Sequence, residues 1–443
     1  MKKNSLFSTL ARGLAALAVL AAALAAQPVD DTQLKQVIIF GRHSVRSPVT
    51  PTSTLNDFSV RAFPEFGIPV GYLTANGTTL ENTLGGYYRL WLTNEKLLTG
   101  NDSADSALVY FRANVIERTI ATAQAFAAGL LPAARVTVNY YGPLESDPLF
   151  DPVGAGVARL DQRMALAAVM GRLGGNPQAL SSAYAPELAL TRSVLFGYPA
   201  SETPALATPA GKLDVTTIPF QFAVGGQSGW PVDPGGLMMV LAAVDPFLME
   251  YAEGLPASDV GWGQLTAGGV SQLSRLTDLV LDLECRTPYL AKVQSSNLAS
   301  HVVRSMVQAA TGNAMTGALG NPTTKAIVLV ASDVNVSGLA GLFHLDWLVP
   351  GYQADFCGPG GALVFQLRQS QSTGEYIVRA SYVAQTLDQL RNRTALTLAT
   401  PPASAPVFIP GCSVRNVTFD CPLAKFVAVA RQVIDPESAD RMN

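Results

Sequence analysis

The sequence predicts an α/β fold: a core with a mainly parallel sheet flanked by helices, plus an inserted, mostly helical domain. Three observations carry that expectation. Short apolar runs rich in β-branched residues alternate with longer helical patterns, the middle of the chain is helical around a loop-rich stretch, and apolar alternating runs follow towards the C-terminus.

Residues 1–26 read as a secretory signal peptide. Lys2, Lys3 and Arg12 supply its positive start, Leu14 to Leu24 its apolar stretch, and Ala23 to Ala26 its small-residue cleavage sites. The apolar stretch is too short to span a bilayer. No Cys follows the cleavage sites, so no lipid anchor is implied, and no membrane span remains once the leader is removed. Gln36-Val37-Ile38-Ile39-Phe40 is the first buried strand, Ala107-Leu108-Val109-Tyr110-Phe111 the second and Ala326-Ile327-Val328-Leu329-Val330 the third. Helical patterns fall at about 79–98, 117–130, 160–173, 236–252, 264–283 and 293–310. The change of character at 152–275, with many Pro, Gly and Thr at 198–235, marks the helical insertion. The core is then 27–151 together with 276–443. Ala362–Leu367 and Tyr376–Ala380 suggest paired strands, and about 422–434 a final helix.

Composition excludes several function classes. Of 443 residues 48% are apolar and only 14% charged, which is the opposite of a disordered chain. The net charge of −3 and scattered Lys and Arg argue against a nucleic-acid partner. Three His and four Cys without a C-x-x-C argue against a structural zinc site. Export makes two disulfides the default for the four cysteines. Cys412–Cys421, nine apart, is the most economical pair and would leave Cys285–Cys357, although three connectivities are open.

The three strand ends are chemically unusual. The first runs into Gly41-Arg42-His43-Ser44-Val45-Arg46-Ser47-Pro48. A His between two Arg at the carboxyl end of a strand, where open α/β sheets bind ligands, suits a phosphate, because guanidinium forks match its oxygens. The second leads into Asn114-Val115-Ile116-Glu117-Arg118-Thr119, which opens a helix. An Arg is poorly placed for the dipole there, so Arg118 either meets a bound anion or pairs with an acid such as Glu117. The third ends in Ser332-Asp333-Val334-Asn335. Asp333 reads either as a general acid over the same pocket or as part of a helix cap.

Taken together these motifs resemble the histidine acid phosphatases, the branch of the histidine phosphatase superfamily that holds bacterial phytases and glucose-1-phosphatases. The family's R-H-G-x-R-x-P is matched by residues 42–48 and its E-R-T by Glu117-Arg118-Thr119. Asp147-Pro148-Leu149-Phe150, Gly261-Trp262-Gly263, Arg286-Thr287-Pro288, Asn335, Leu339-Ala340-Gly341, Pro359-Gly360-Gly361 and the Cys412 to Cys421 segment also fit, in the family's order. The resemblance implies a phosphoglycerate-mutase-like α/β core and an exported phosphomonoesterase of periplasm or extracellular space, acting on a small phosphoester. His43 would be the nucleophile, forming a phosphohistidine. Arg42, Arg46 and Arg118 would bind the phosphate oxygens. Asp333 would be the proton donor. No cofactor or metal is implied, since the arginines supply the positive charge. Ser47, Thr50, Asp245 and Arg286 would line the substrate side.

Two positions depart from the family pattern. Ser44 stands where the family has Gly, and Ser332 replaces the His that precedes the catalytic Asp and donates to phosphate. Ser332 keeps a donor but no charge, a loss of about 1.5–3 kcal/mol, or roughly ten- to a hundredfold in rate. The alternative is therefore a weakened or inactive phosphoester binder of the same fold. His344 lies beyond the helix that follows Asp333, and His301 lies on another helix. Both read as structural. Thr50 stands where phytases often carry a Lys, which favours a broad or sugar phosphatase over a specialised phytase.

Overall fold

The computed structural model describes residues 30–142, 145–199, 206–225 and 230–440; the expected leader, 1–26, lies outside them. Along the chain run β1 (Thr32–Arg42), α1 (Thr52–Phe58), α2 (Ala75–Asn94), α3 (Asp102–Asp105), β2 (Val109–Ala113), α4 (Glu117–Leu130) and β3 (Val138–Asn139). Helices α5 (Gln162–Arg172), α6 (Ala179–Ala183) and α7 (Ala185–Phe196) follow, then short strands β4 (Ala223–Val224) and β5 (Val232–Asp233). Next come α8 (Gly236–Glu253), α9 (Ala267–Glu284) and α10 (Pro288–Thr311). The chain ends with β6 (Ala326–Ala331), α11 (Asp333–Phe343), β7 (Ala362–Ser370), β8 (Tyr376–Ala384), α12 (Leu387–Arg391), β9 (Ala403–Val407), β10 (Cys421–Pro422) and α13 (Leu423–Val433).

One sheet organises the molecule, in the order β10-β8-β7-β1-β6-β2-β3, with β9 also on β8. Strands β1, β6, β2 and β3 pair in parallel. Strands β7, β8, β9 and β10 extend the sheet in antiparallel fashion. Burial explains why β1 and β6 read as continuous apolar runs: both faces are covered. Val37, Ile39, Val328 and Val330 face α2 and α4 through Leu84, Tyr88, Phe126 and Leu130. The alternate residues Ile38, Phe40, Ile327 and Leu329 share the opposite core with Val240, Phe247, Leu273 and Leu298 of α8, α9 and α10. The helices of the middle segment thus close over the other side of the sheet. Helices α2 and α4 cross closely because Gly85 and Gly129 sit at the contact. A Cβ on Gly129 would come within 2.0 Å of the Asn82 carbonyl oxygen.

The second strand begins at Val109, two residues after its expected start, because Ser106–Leu108 make a tight 3-10 turn first. The disulfide expectation divides. Cys412 and Cys421 are bonded. The expected Cys285–Cys357 bridge is absent; both are free, buried thiols. Both residues lie beside α11, and burial holds each thiol protonated by raising it above its ordinary value. Cys357 Sγ lies 3.6 Å from Ser337 Oγ, and the Cys285 carbonyl abuts Gly341 one turn further along.

Candidate active site

Register alone brings the three motifs together. Arg42 pairs with Ala331 across β1 and β6, and Ala113 pairs with Val330 across β2 and β6. The carboxyl ends of β1, β6 and β2 are therefore side by side, with β6 in the middle, although they lie nearly three hundred residues apart in the chain. Backbone bonds then carry the line past the strand ends: His43 N–H donates to the Ala331 carbonyl and Asn114 N–H to the Val330 carbonyl, both at 2.9 Å. The loop after His43 is clamped. Ser44 N–H donates to Thr122 Oγ1 of α4 at 3.1 Å, and Thr74 N–H to the Val45 carbonyl at 3.0 Å. Gly77 makes room for that loop, since a Cβ there would meet Val45 O at 2.2 Å. Ser44 avoids the left-handed region that its replacement of a glycine put in question.

His43 is 2% exposed. Its Nδ1 lies 2.9 Å from the Ser44 carbonyl oxygen. A carbonyl only accepts, so Nδ1 carries the proton and the Nε2 lone pair is free. Burial, with Arg42, Arg118 and Arg46 nearby, holds the imidazole well below its ordinary pKa. The ring is therefore neutral, which a nucleophile requires.

The three arginines are fixed differently. Arg42 Nη1 donates to the Cys357 carbonyl at 2.5 Å, and its Nη2 pairs with Asp333 Oδ2 at 3.1 Å. Arg46 is gripped in a fork by Asp245, Nη1 and Nη2 each lying 2.9 Å from a carboxylate oxygen. Arg118 Nη1 reaches only the Gly71 carbonyl, at 3.3 Å. Burial and the neighbouring Arg46 pull Arg118 down to about 10, so it remains a cation. Glu117 does not pair with it: that carboxylate accepts from Leu73 N–H at 3.0 Å. The Nε of all three arginines is buried and has no hydrogen-bond partner among the described residues. Three guanidinium groups, each with an unmatched buried Nε, thus surround a neutral imidazole, and guanidinium donors are of the kind that match oxyanions.

Ser332 is the N-cap of α11 and Asp333 its first residue. The Ser332 hydroxyl donates to Asn335 Oδ1 at 2.8 Å, and Asn335 Nδ2 donates to the Phe150 carbonyl. Capping therefore falls to Ser332, and its donor is committed to Asn335. Asp333 uses Oδ1 for Val334 N–H and Oδ2 for Arg42. Asp245 comes in from α8. Burial alone would raise it, but Arg46, with Arg42 and Arg118 behind, outweighs burial and holds it below the ordinary carboxylate range. It occupies the Arg46 fork as a carboxylate.

The other expected residues make the following contacts. Arg286 is taken up by Asp346 and Asp355, at 2.5 and 3.4 Å, and by the Leu345 carbonyl. Ser47 is buried and braces its loop through the Pro69 carbonyl at 2.6 Å; Thr50 is half-buried just beyond. His301 is structural, bonded to the Gly317 carbonyl and to Asp440. His344 is exposed, the left-handed residue that ends α11. Two acids near the site carry no motif in the sequence. Glu81 of α2, beside Ser44, is 2% exposed, and burial pushes it up to about 8. Asp278 of α9 is raised well above its ordinary value by burial and by Asp355.

Comparison with known proteins accords with this geometry. The family model described as the histidine phosphatase superfamily (branch 2) matches residues 33–383. Phytase AppA of Escherichia coli (strain K12) is 30% identical over 418 residues, covering 93% of this chain and 94% of that protein. A glucose-1-phosphatase of Providencia rettgeri is 29% identical over 392 residues, covering 87% and 88%. Among solved structures, Hafnia alvei phytase in complex with tartrate superposes with a TM-score of 0.83 at 31% identity, covering 94% of this chain and all of that one.

Proposed function

The chain belongs to branch 2 of the histidine phosphatase superfamily, and from that premise we propose that it is an exported phosphomonoester hydrolase working through a phosphohistidine on His43. The observation that carries the reading is the neutral, tautomer-fixed His43 ringed by three arginines with buried, unmatched donors.

His43 Nε2 attacks phosphorus; the N–P bond forms as the P–O bond to the alcohol breaks. Once the phosphate has taken Arg42 from it, the Asp333 carboxyl picks up a proton from solvent and gives it to the departing oxygen. Water then attacks the phosphohistidine, Asp333 takes up its proton, the N–P bond breaks and phosphate leaves. Arg42, Arg46 and Arg118 stabilise the equatorial oxygens as charge develops. Substrate must also take the Arg46 fork from Asp245, a competition that tunes phosphate affinity. The leader expected at 1–26 supports export, and no described helix is long and apolar enough to cross a membrane.

A second reading, a phosphoester binder with the chemistry lost, is favoured by the Ser332 hydroxyl being committed to Asn335. Hydrolysis of p-nitrophenyl phosphate between pH 3 and 8 separates them. The hydrolase reading expects turnover by the wild type that His43→Ala abolishes. Saturable phosphate binding with no turnover of any phosphomonoester would favour the binder.

A further inference from the structure

Ser44 brings a hydroxyl into the backbone segment that holds the nucleophile, at a position where the family pattern has glycine. It is fully buried, and its Oγ has no partner of hydrogen-bond geometry among the described residues. The polar group set against it is the carboxyl of Glu81 on α2, itself 2% exposed, with Oε1 likewise unpartnered. Glu81 also lies on Gly360, in the turn before β7. A Cβ there would come within 2.3 Å of Glu81 Oε1, and the backbone stands at φ +68°, so only glycine leaves room for the acid.

Both contacts lead to His43. The Ser44 carbonyl accepts from His43 Nδ1 at 2.9 Å and so fixes the tautomer. Gly360 N–H donates to the His43 carbonyl at 3.2 Å. Glu81 thus stands behind the two groups that hold the ring and the backbone of the nucleophile.

The protonation state of Glu81 decides what it does there. A carboxylic acid beside a hydroxyl can donate to it or accept from it, whereas a carboxylate only accepts. Burial pushes Glu81 up to about 8, with Ser44 acting against burial in smaller measure, so the acid is neutral at pH 7. Two ionisable groups share its small cavity, Tyr88 of α2 and Arg42 of β1; the described residues lining it from α4, β6 and the turn before β7 carry no charge. Burial keeps the Tyr88 phenol protonated, and Arg42 is already engaged by Asp333. An ionised Glu81 must therefore draw on the donors at hand, which are the ones that hold His43 and the phosphate.

We propose that Glu81 is a positioning residue: as a carboxylic acid it seats Ser44 and Gly360, and through them His43, and loss of its proton disturbs the nucleophile. The effect on rate rests on the hydrolase reading; the effect on the His43 ring does not.

The test follows kcat/KM for p-nitrophenyl phosphate from pH 5 to 9.5 in wild type and in Glu81→Gln, whose amide has the same shape and does not ionise. The ratio of wild type to variant is expected to be level up to about pH 7 and to fall about tenfold by pH 9, following the fraction of acid left one unit above 8. A residue that only filled space would leave the ratio level throughout. Glu81→Leu strips Ser44 of its polar neighbour and is expected to lower kcat about tenfold, and adding Ser44→Gly is expected to restore most of it. Undiminished kcat in Glu81→Leu, or a double variant no better than Glu81→Leu, would overturn the pairing. Nitrogen NMR of the imidazoles gives a readout free of turnover. In the wild type the His43 resonances are expected to shift with a midpoint near pH 8, and in Glu81→Gln to lack that step. That result upholds the positioning role even if no phosphoester is turned over and the hydrolase reading falls. A level rate ratio, or His43 resonances that pass pH 8 unchanged, would overturn the proposal whatever the turnover.

Discussion

Restoring an imidazole at position 332 should raise the rate of phosphoester hydrolysis. Ser332 caps α11, and its hydroxyl is bonded to Asn335 Oδ1 at 2.8 Å, so it offers the phosphate no free donor in this arrangement. Ser332 borders a cavity of about 430 Å³, so a larger side chain there has open space beside it. A charged imidazolium bonded to a phosphate oxygen is worth about 1.5–3 kcal/mol, so Ser332→His should gain roughly ten- to a hundredfold in kcat/KM for p-nitrophenyl phosphate. The gain should be largest near pH 5 and shrink above about pH 7, as an imidazole with an ordinary pKa near 6.5 loses its proton. The cost is a cap worth about 0.5–2 kcal/mol. It is reduced because Asn335 Oδ1 still accepts from the backbone N–H of residue 332. Initial rates across pH 4 to 8, with melting temperature measured in parallel, read both effects. A folded Ser332→His protein with no gain at pH 5 would refute the idea that the missing donor limits the rate.

Other consequences follow from the same geometry. Asp245→Asn removes the carboxylate that competes for the Arg46 fork. Its inhibition constant for inorganic phosphate should fall about ten- to a hundredfold, one charge-assisted contact being worth about 1.5–3 kcal/mol; an unchanged constant would mean that phosphate does not use the fork. Glu81, Glu250 and Glu284 are each pushed up to about 8, in the first place by burial. The folded chain keeps protons that the unfolded chain loses near pH 4.5, so their contribution is full below that pH and is lost as pH rises through 8. Buried His43 and His301, held neutral, act in the opposite sense only below their ordinary 6.5. Melting temperature should therefore fall between pH 6.5 and 8.5, by the equivalent of a few kcal/mol per glutamate, and Glu→Gln changes should flatten the fall; a flat wild-type curve would contradict it. Alkylation should find Cys285 and Cys357 as free thiols that react only after unfolding, whereas a mass showing two disulfides would restore the bridge absent here.

How much of this was legible in sequence depended on locality. Residues 42–48, 117–119 and 332–333 each carry their signal within a few positions at the end of an apolar run, and parallel strand order then brings them together. The helix at Glu117–Leu130 was expected at the same bounds. Asp245 was reached only through the family resemblance, because it arrives on a helix about two hundred residues from Arg46. Glu81 and Asp278 left no trace, since an acid on an amphipathic helix looks the same in sequence whether it faces solvent or a buried cleft. Arg286 was likewise reached through the family resemblance; its engagement by Asp346 and Asp355 depends on a loop that periodicity does not place. Cys285 and Cys357 were assigned to a bridge from the even cysteine count, a rule about compartment that carries no information about which thiols meet.

The central claim is a covalent phosphoryl group on His43, and rapid acid-free quenching during steady-state hydrolysis, followed by mass spectrometry of the peptide carrying residues 42–46, tests it directly. The account predicts one added phosphoryl group on His43 in the wild type, accumulating further in Asp333→Asn if the second step needs that carboxylate. It predicts none in His43→Ala. Turnover of the wild type with an unmodified His43 peptide, or undiminished turnover in His43→Ala, would contradict it.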